Sequence, residues 1–205
     1  MNELFHLFGQ PISAIELAAV VTGLWGVWLT AQGRSLCFPV GLVNVAVYAF
    51  IFFHPSVRLY ADGSLQVFFG ILLLYGWYEW AKRKVTGPFS ASRLSLRSTL
   101  TLAIFVLVTA LVLGETLTRF TDAALPRLDA LLTTLSLAAQ WMVAKKKIEN
   151  WLLWIVVDVI YIPVYWFKHL PLTALLYVVF LGLAVQGFYQ WKKSMTEAPS
   201  SPRAH

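Results

Sequence analysis

Charge is scarce in this chain. Of its 205 residues only 13% are Asp, Glu, Lys or Arg, and 59% are hydrophobic, whereas a soluble domain carries about 25% charged and 45–50% apolar residues. A chain this short still shows much of its surface when folded. The apolar excess, with a mean hydropathy of +0.68, therefore makes lipid the solvent and excludes a soluble enzyme or a chain that is a disordered tail throughout. Cysteine is almost absent: Cys37 has no second cysteine to pair with, which excludes a disulfide-stapled secreted scaffold. The four histidines, His6, His54, His169 and His205, fall in loops or tails without ligand spacing, so no metal is expected. GxxxxGKS/T, GxSxG and HExxH are all missing, so no ATP motor, no catalytic residues, no enzyme activity and no cofactor are expected. The last apolar run lacks an internal lysine for retinal. The first Lys or Arg is Arg34, beyond the first apolar run, so a cleavable leader is not expected either. The net charge of +6 sits in short clusters rather than on one face, which argues against nucleic acid as a partner.

What is present is a series of apolar runs. A bilayer core is crossed by about 20 apolar residues, and the runs near that length are 12–31, 35–53, 64–81, 98–114, 129–144, 150–167 and 171–191. The fold class is thus all-α integral membrane with seven transmembrane helices. Twelve Lys and Arg residues fall on one side (Arg34, Lys82 to Lys84, Arg93, Arg97, Lys145 to Lys147, Lys192, Lys193 and Arg203) and four on the other, Arg58, Arg119, Arg127 and Lys168. The positive-inside rule then places the N-terminus outside and the C-terminus in the cytoplasm. Trp80, Trp141, Trp166 and Trp191 near span ends read as interfacial anchors, and Glu16 and Glu79 as interface-facing or snorkelling acids. Residues 82–97 read as a polar connector, 115–128 as a segment along the outer surface, and 194–205 as a disordered tail.

The chain also repeats itself. Span three ends YGWYEWAKR (75–83) and span seven ends QGFYQWKKS (186–194), so Gly76, Tyr78 and Trp80 align with Gly187, Tyr189 and Trp191 at a shift of 111. A shift of 114 places Asn44 on Asp158 and Phe53 on Phe167, making the first copy's outer loop three residues longer. For two three-helix units to run in the same direction, one further helix must return the chain. The layout is therefore 3+1+3: a first bundle at 1–84, a linker with the fourth helix at 85–128, a second bundle at 129–193 and a tail at 194–205. Such paired parallel bundles hold a midplane site at their interface.

Asp158 stands near the centre of span six, where a carboxylate costs about 2.5–3.5 kcal/mol on insertion scales. It is either neutralised or paired within the bundle, or it contacts a ligand, an ion or a proton. Trp151, Trp154 and Asp158 lie at i, i+3 and i+7, one face of a helix, and two indoles above an acid suit a flat cation. Trp151 could equally be an interface anchor. Pro163 is expected to kink the helix beyond. Asn44 serves either an interhelical hydrogen bond or a ligand. Gln66 and Tyr177, in matching repeat positions, can hydrogen-bond a polar solute. Residue chemistry alone thus leads to a small two-bundle transporter for a polar, cationic solute, with a proton-coupled symporter and a non-transporting receptor as competitors.

At KKKIENWLLWIVVDV (145–159) the sequence resembles the PnuC family of bacterial vitamin transporters, whose nicotinamide riboside members carry ENWLLW followed by an asparagine. GLVNV (41–45), IFF (51–53), LYAD (59–62), LQVFF (65–69) and YGWYEW (75–80) are similar to the family's spans two and three. The resemblance implies the 3+1+3 fold, placement in the bacterial inner membrane and facilitated diffusion of nicotinamide riboside, trapped inside by a cytoplasmic kinase. It also implies a homotrimer, and a substrate site of Trp151, Trp154, Asp158, Asn44, Gln66 and Tyr177. One departure stands at position 158, which is Asp where nicotinamide riboside members have Asn. Members that carry thiamine have an acid there, so thiamine is the alternative substrate.

Overall fold

In the computed structural model, residues 3–7, 10–55, 60–82, 89–121, 124–168 and 170–197 are described. The helices are α1 (Ala14–Ala31), α2 (Cys37–Phe53), α3 (Tyr60–Lys82), α4 (Leu96–Phe120), α5 (Pro126–Ala144), α6 (Asn150–Phe167) and α7 (Pro171–Glu197). Ahead of them, β1 (Glu3–Leu7) pairs antiparallel with β2 (Gln10–Ser13), a hairpin that apolar periodicity did not announce. Helices α1, α4, α6 and α7 are long and apolar enough to cross a membrane, and α2 is a shorter apolar helix. Helix α5 is less apolar because it faces protein. Ala130, Leu132, Thr134, Ser136, Ala138 and Ala139 are buried along it, and it packs on α3, α4 and α6. Small residues suit that position, since helices in lipid associate through close backbone packing rather than a hydrophobic drive.

Local chemistry sets the helix ends. Ser95 caps α4 by accepting from the Ser98 amide at 3.2 Å. Pro126 and Pro171 begin α5 and α7, where a missing N–H costs nothing. Helix α4 continues to Phe120 and α7 to Glu197, so residues 115–120 prolong the helix of the fourth span, and the tail's first residues are helical. Residues 83–88 and 198–205 lie outside the described residues. Helix α6 runs through Pro163 without interruption to Phe167. The outward face of α4, with Leu96, Ile104, Phe105 and Leu111 exposed, is the apolar surface that lipid requires.

The neighbours of each helix repeat in the two halves. Helices α1, α2 and α3 pack in sequence, as do α5, α6 and α7, and the halves join through two seams, α3 on α5 and α7 on α1. Side chains repeat with them. Trp80 donates from Nε1 to the Val143 carbonyl at 3.3 Å, and Trp191 donates to the Thr30 carbonyl at 3.0 Å. Phe38 meets Trp80 edge-on at 5.0 Å and 86°, while Trp151 meets Trp191 edge-on at 5.5 Å and 89°. Phe38 also lies against Gly76, and Trp151 against Gly187. Both α1 and α5 end in the same cap: Arg34 N–H donates to Leu29 and Lys147 N–H to Met142, with Gly33 (φ 66°) and Lys146 (φ 55°) left-handed.

These pairings relate α1 to α5 and α2 to α6 by 113 positions, and α3 to α7 by 111. A helix admits only one register, so Val157 rather than Asp158 is the counterpart of Asn44. The first outer loop is longer by two residues, not three. They also correct the reading of the end-of-span tryptophans: Trp80 is 7% and Trp191 0% exposed, so both are core residues that close one end of the molecule. Trp166, 63% exposed, does sit as an anchor would. Glu79 is no free snorkelling acid, since it pairs with Lys145 at 3.1 Å across the α3–α5 seam.

At that end the α3–α4 connector crosses the pseudo-twofold axis. Phe89 inserts between Trp80 and Trp191, with ring centroids at 5.2 and 4.9 Å. Beyond it the backbone is fastened. Ser92 N–H donates to the Lys146 carbonyl at 2.9 Å, and the Ser92 carbonyl accepts from Ile148 N–H at 3.0 Å. Leu94 N–H donates to the Glu149 carboxylate at 3.2 Å, and Ala91 N–H to Ser194 Oγ at 3.2 Å.

Candidate functional site

Asp158 is the most unusual side chain of the interior. It is 4% exposed and has no ion-pair or hydrogen-bond partner among the described residues. Helix α6 presents it on a stripe with Trp151, Trp154, Tyr161 and Tyr165, spaced i, i+3, i+7, i+10 and i+14 from Trp151, and such spacing keeps residues on one face. The stripe faces α7 at both ends: Trp151 rests on Gly187 and Trp191, while Tyr161 and Tyr165 stack on Tyr177 at 4.8 and 5.2 Å. Asp158 lies between, near enough for its charge to reach Tyr177.

The six expected site residues are only partly gathered. Trp154, Asp158 and Tyr177 share the α6–α7 interface, with Trp154 packed on the aromatic core at its inner edge. Asn44 enters from α2: its Nδ2 donates to the Ala19 carbonyl at 2.6 Å and to Thr22 Oγ1 at 3.1 Å. It therefore clamps α1 to α2, and its carbonyl oxygen is the atom left for a ligand. Phe180 of α7 links this group to the others, since a Cβ on Gly23 would stand 3.8 Å from Phe180 and 3.3 Å from Asn44. Gln66 is half-buried on α3 and is joined to the rest by no described contact. Trp151 sits deepest, 1% exposed, as the wedge of the α6–α7 contact.

Two residues of this region escaped the sequence reading. Tyr161 and Tyr165 extend the very stripe that singled out Trp151, Trp154 and Asp158, and the same spacing rule would have found them. Among the described residues no group of three or more His, Cys, Asp or Glu is placed to hold a metal ion.

Two bundles related by a pseudo-twofold axis, apolar outer faces and a buried acid between aromatic rings define a multi-pass membrane transporter rather than an enzyme. The sequence profile described as nicotinamide mononucleotide transporter matches residues 13–193, and the chain belongs to that family, the one that contains the PnuC proteins. It is 27% identical to the nicotinamide riboside transporter PnuC of Escherichia coli K12, over 96% of this chain and 92% of the relative. To the PnuC of Neisseria mucosa it is 29% identical, over 90% and 74%. The riboflavin/roseoflavin transporter RibM of Streptomyces davaonensis is 22% identical, over 93% and 90%. The crystal structure of the vitamin B3 transporter PnuC is similar with a TM-score of 0.73 and 28% identity, covering 89% of this chain and 82% of that one.

Proposed function

We propose that the protein imports nicotinamide riboside across the bacterial inner membrane by facilitated diffusion. The N-terminus lies outside and the C-terminus in the cytoplasm, where phosphorylation by a kinase traps the vitamin. The observation that carries this reading is Asp158, a buried carboxyl without an ion-pair partner among the described residues, on a stripe of aromatic rings. An acid so placed is costly in a bilayer, and a planar cation supplies both the charge it lacks and a ring for the indoles to stack on. In this reading Trp154 stacks on the pyridinium and Trp151 closes the floor. Asp158 balances the charge, and Asn44, Gln66 and Tyr177 hydrogen-bond the ribose. The units 1–84 and 129–193 rock against each other about the linker 85–128.

The resemblance also supports a second substrate, since it associates an acid at 158 with thiamine carriers, and a thiazolium is likewise a flat cation. Titrating the purified protein with nicotinamide riboside, thiamine and riboflavin, followed by tryptophan quench, separates the readings. Tight binding of nicotinamide riboside with weak thiamine supports the proposal, the reverse makes Asp158 the selector for thiamine, and no quench by any of them removes the substrate class. Counterflow in proteoliposomes without an ion gradient supports uniport. Counterflow that requires a proton gradient would instead make the protein a symporter.

A further inference from the structure

The stripe on α6 does not stop at Asp158. One turn on, Tyr161, and another turn on, Tyr165, meet Tyr177 of α7 so that all three ring pairs lie within 4.8–5.4 Å. The hydroxyls of Tyr165 and Tyr177 hydrogen-bond each other, which satisfies them inside a membrane, so what the cluster offers a ligand is its rings. On α2, Tyr48 stacks on Phe52 at 5.7 Å and stands within electrostatic reach of Tyr165. Three carboxylates stand within electrostatic reach: Glu16 of Tyr48, and Asp62 and Asp129 of both Tyr161 and Tyr165. Of the described cations of this end, two are engaged by Glu115 and the third, Lys168, follows the last turn of α6. Glu115 holds Arg119 at 2.8 Å and Arg127 at 3.8 Å, whereas Asp62 and Asp129 have no ion pair among the described residues.

Resting on the substrate reading above, we propose that Tyr161 and Tyr165 extend the substrate site outward past Tyr177, as an aromatic step through which a cation passes at the end opposite Trp80 and Trp191. The ring faces carry the negative lobe of the aromatic quadrupole. Desolvated between helices, they attract a cation more strongly than exposed rings do. The acids above them raise the local concentration of cations, as like-charged walls focus a field. The arrangement selects for charge, because a neutral molecule of the same shape gains neither contribution.

The test compares nicotinamide riboside with its reduced form, which keeps the ribose and loses the ring charge. In proteoliposomes, Tyr161→Leu and Tyr165→Leu should each raise the half-saturation concentration for the cation by about 5- to 30-fold, the worth of a buried cation–π contact. Transport of the reduced form should change little, and Tyr161→Phe and Tyr165→Phe should behave as wild type because they keep the rings. Equal losses for both substrates, or none for either, overturn the proposal. Should one leucine variant fail to fold, as read from thermal unfolding, the other decides. A wild-type protein whose fluorescence neither nicotinamide riboside nor thiamine quenches overturns the substrate reading. A wild-type quench that persists at unchanged affinity in both leucine variants overturns the tyrosine site alone.

Discussion

Replacing Gly187 with alanine tests the packing that holds the second bundle together. A Cβ there would stand 2.5 Å from Cζ2 of Trp151 and 2.6 Å from its Cε2 and Cη2. Carbon atoms in contact sit about 3.5–4.0 Å apart, so the indole would have to retreat by about 1 Å. It has nowhere to go, being 1% exposed and met edge-on by Trp191 at 5.5 Å. Overpacking of this kind costs about 1–3 kcal/mol, and the higher helix propensity of alanine offsets about 0.5–1 kcal/mol of it. The net loss of about 1–2 kcal/mol should lower Tm in detergent by about 2–8 °C for a chain of this size. Gly182→Ala is the control, because nothing lies within 4 Å of a Cβ at that position. Gly76→Ala should reproduce the loss, since its Cβ would lie 3.0 Å from Cζ of Phe38 and 3.2 Å from Ala144. Adding Trp151→Leu to Gly187→Ala should cost less than the two single losses together, since the pair is in contact. A Gly187→Ala protein that melts with the Gly182→Ala control would refute the reasoning, and so would strict additivity in the double variant.

Asp158→Asn should raise the Tm of the ligand-free protein, because an amide cannot ionise and a charged carboxyl near the middle of a span costs about 2.5–3.5 kcal/mol on insertion scales; a lower Tm would show that the carboxyl is held by the fold. Cysteines at Ser92 and Lys147, which pair as a parallel bridge, should stand at the strand spacing of about 4.7–4.9 Å, within reach of a disulfide. Oxidation should then leave both ligand binding and transport in proteoliposomes intact, because the connector stays with the α5–α6 turn when the other seam opens. Loss of transport on oxidation, restored by reduction, would mean that the connector leaves that turn during the cycle.

The sequence disclosed the helical membrane fold and the repeat through residues that are identical in both copies, above all the GxYxW endings of α3 and α7. Register was misjudged where equivalence is a matter of shape instead. Phe38 and Trp151 occupy the same place with different rings, and Gly33 and Lys146 share a left-handed cap with different side chains, so matching by identity passes over both pairs. It settled instead on Asn44 and Asp158, which are one residue out of step. Trp80 and Trp191 looked like anchors because depth along a helix can be counted in a sequence, whereas the face that points inward cannot be when every face is apolar. Of the site, the α6 face was legible from spacing alone. Phe89 was not, for nothing in a connector's composition shows that it returns to the axis and lodges between two indoles.

The same repeat that makes the halves alike shows where they differ. Phe89 lies against Gly33, where a Cβ would meet its Cδ1 at 2.6 Å. The equivalent position in the other half is Lys146, whose ammonium sits over Trp80 at 4.9 Å and over Phe89 at 5.5 Å. One connector therefore serves both halves by using a gap on one side and a cation on the other. The seams differ as well. Glu79 and Lys145 fasten α3 to α5 through a partly buried pair at 3.1 Å, and the related positions on α7 and α1 are Gln190 and Gln32. These two glutamines put no charge across the second seam, and Gln190 Oε1 is buried there without a hydrogen bond among the described residues, a deficit of about 1–3 kcal/mol. When alternating access requires the Trp80–Trp191 end to open, the α7–α1 seam is the weaker of the two. Separation there breaks the Trp191–Thr30 bond and withdraws Phe89 from Gly33, while the Glu79–Lys145 pair keeps α3 on α5.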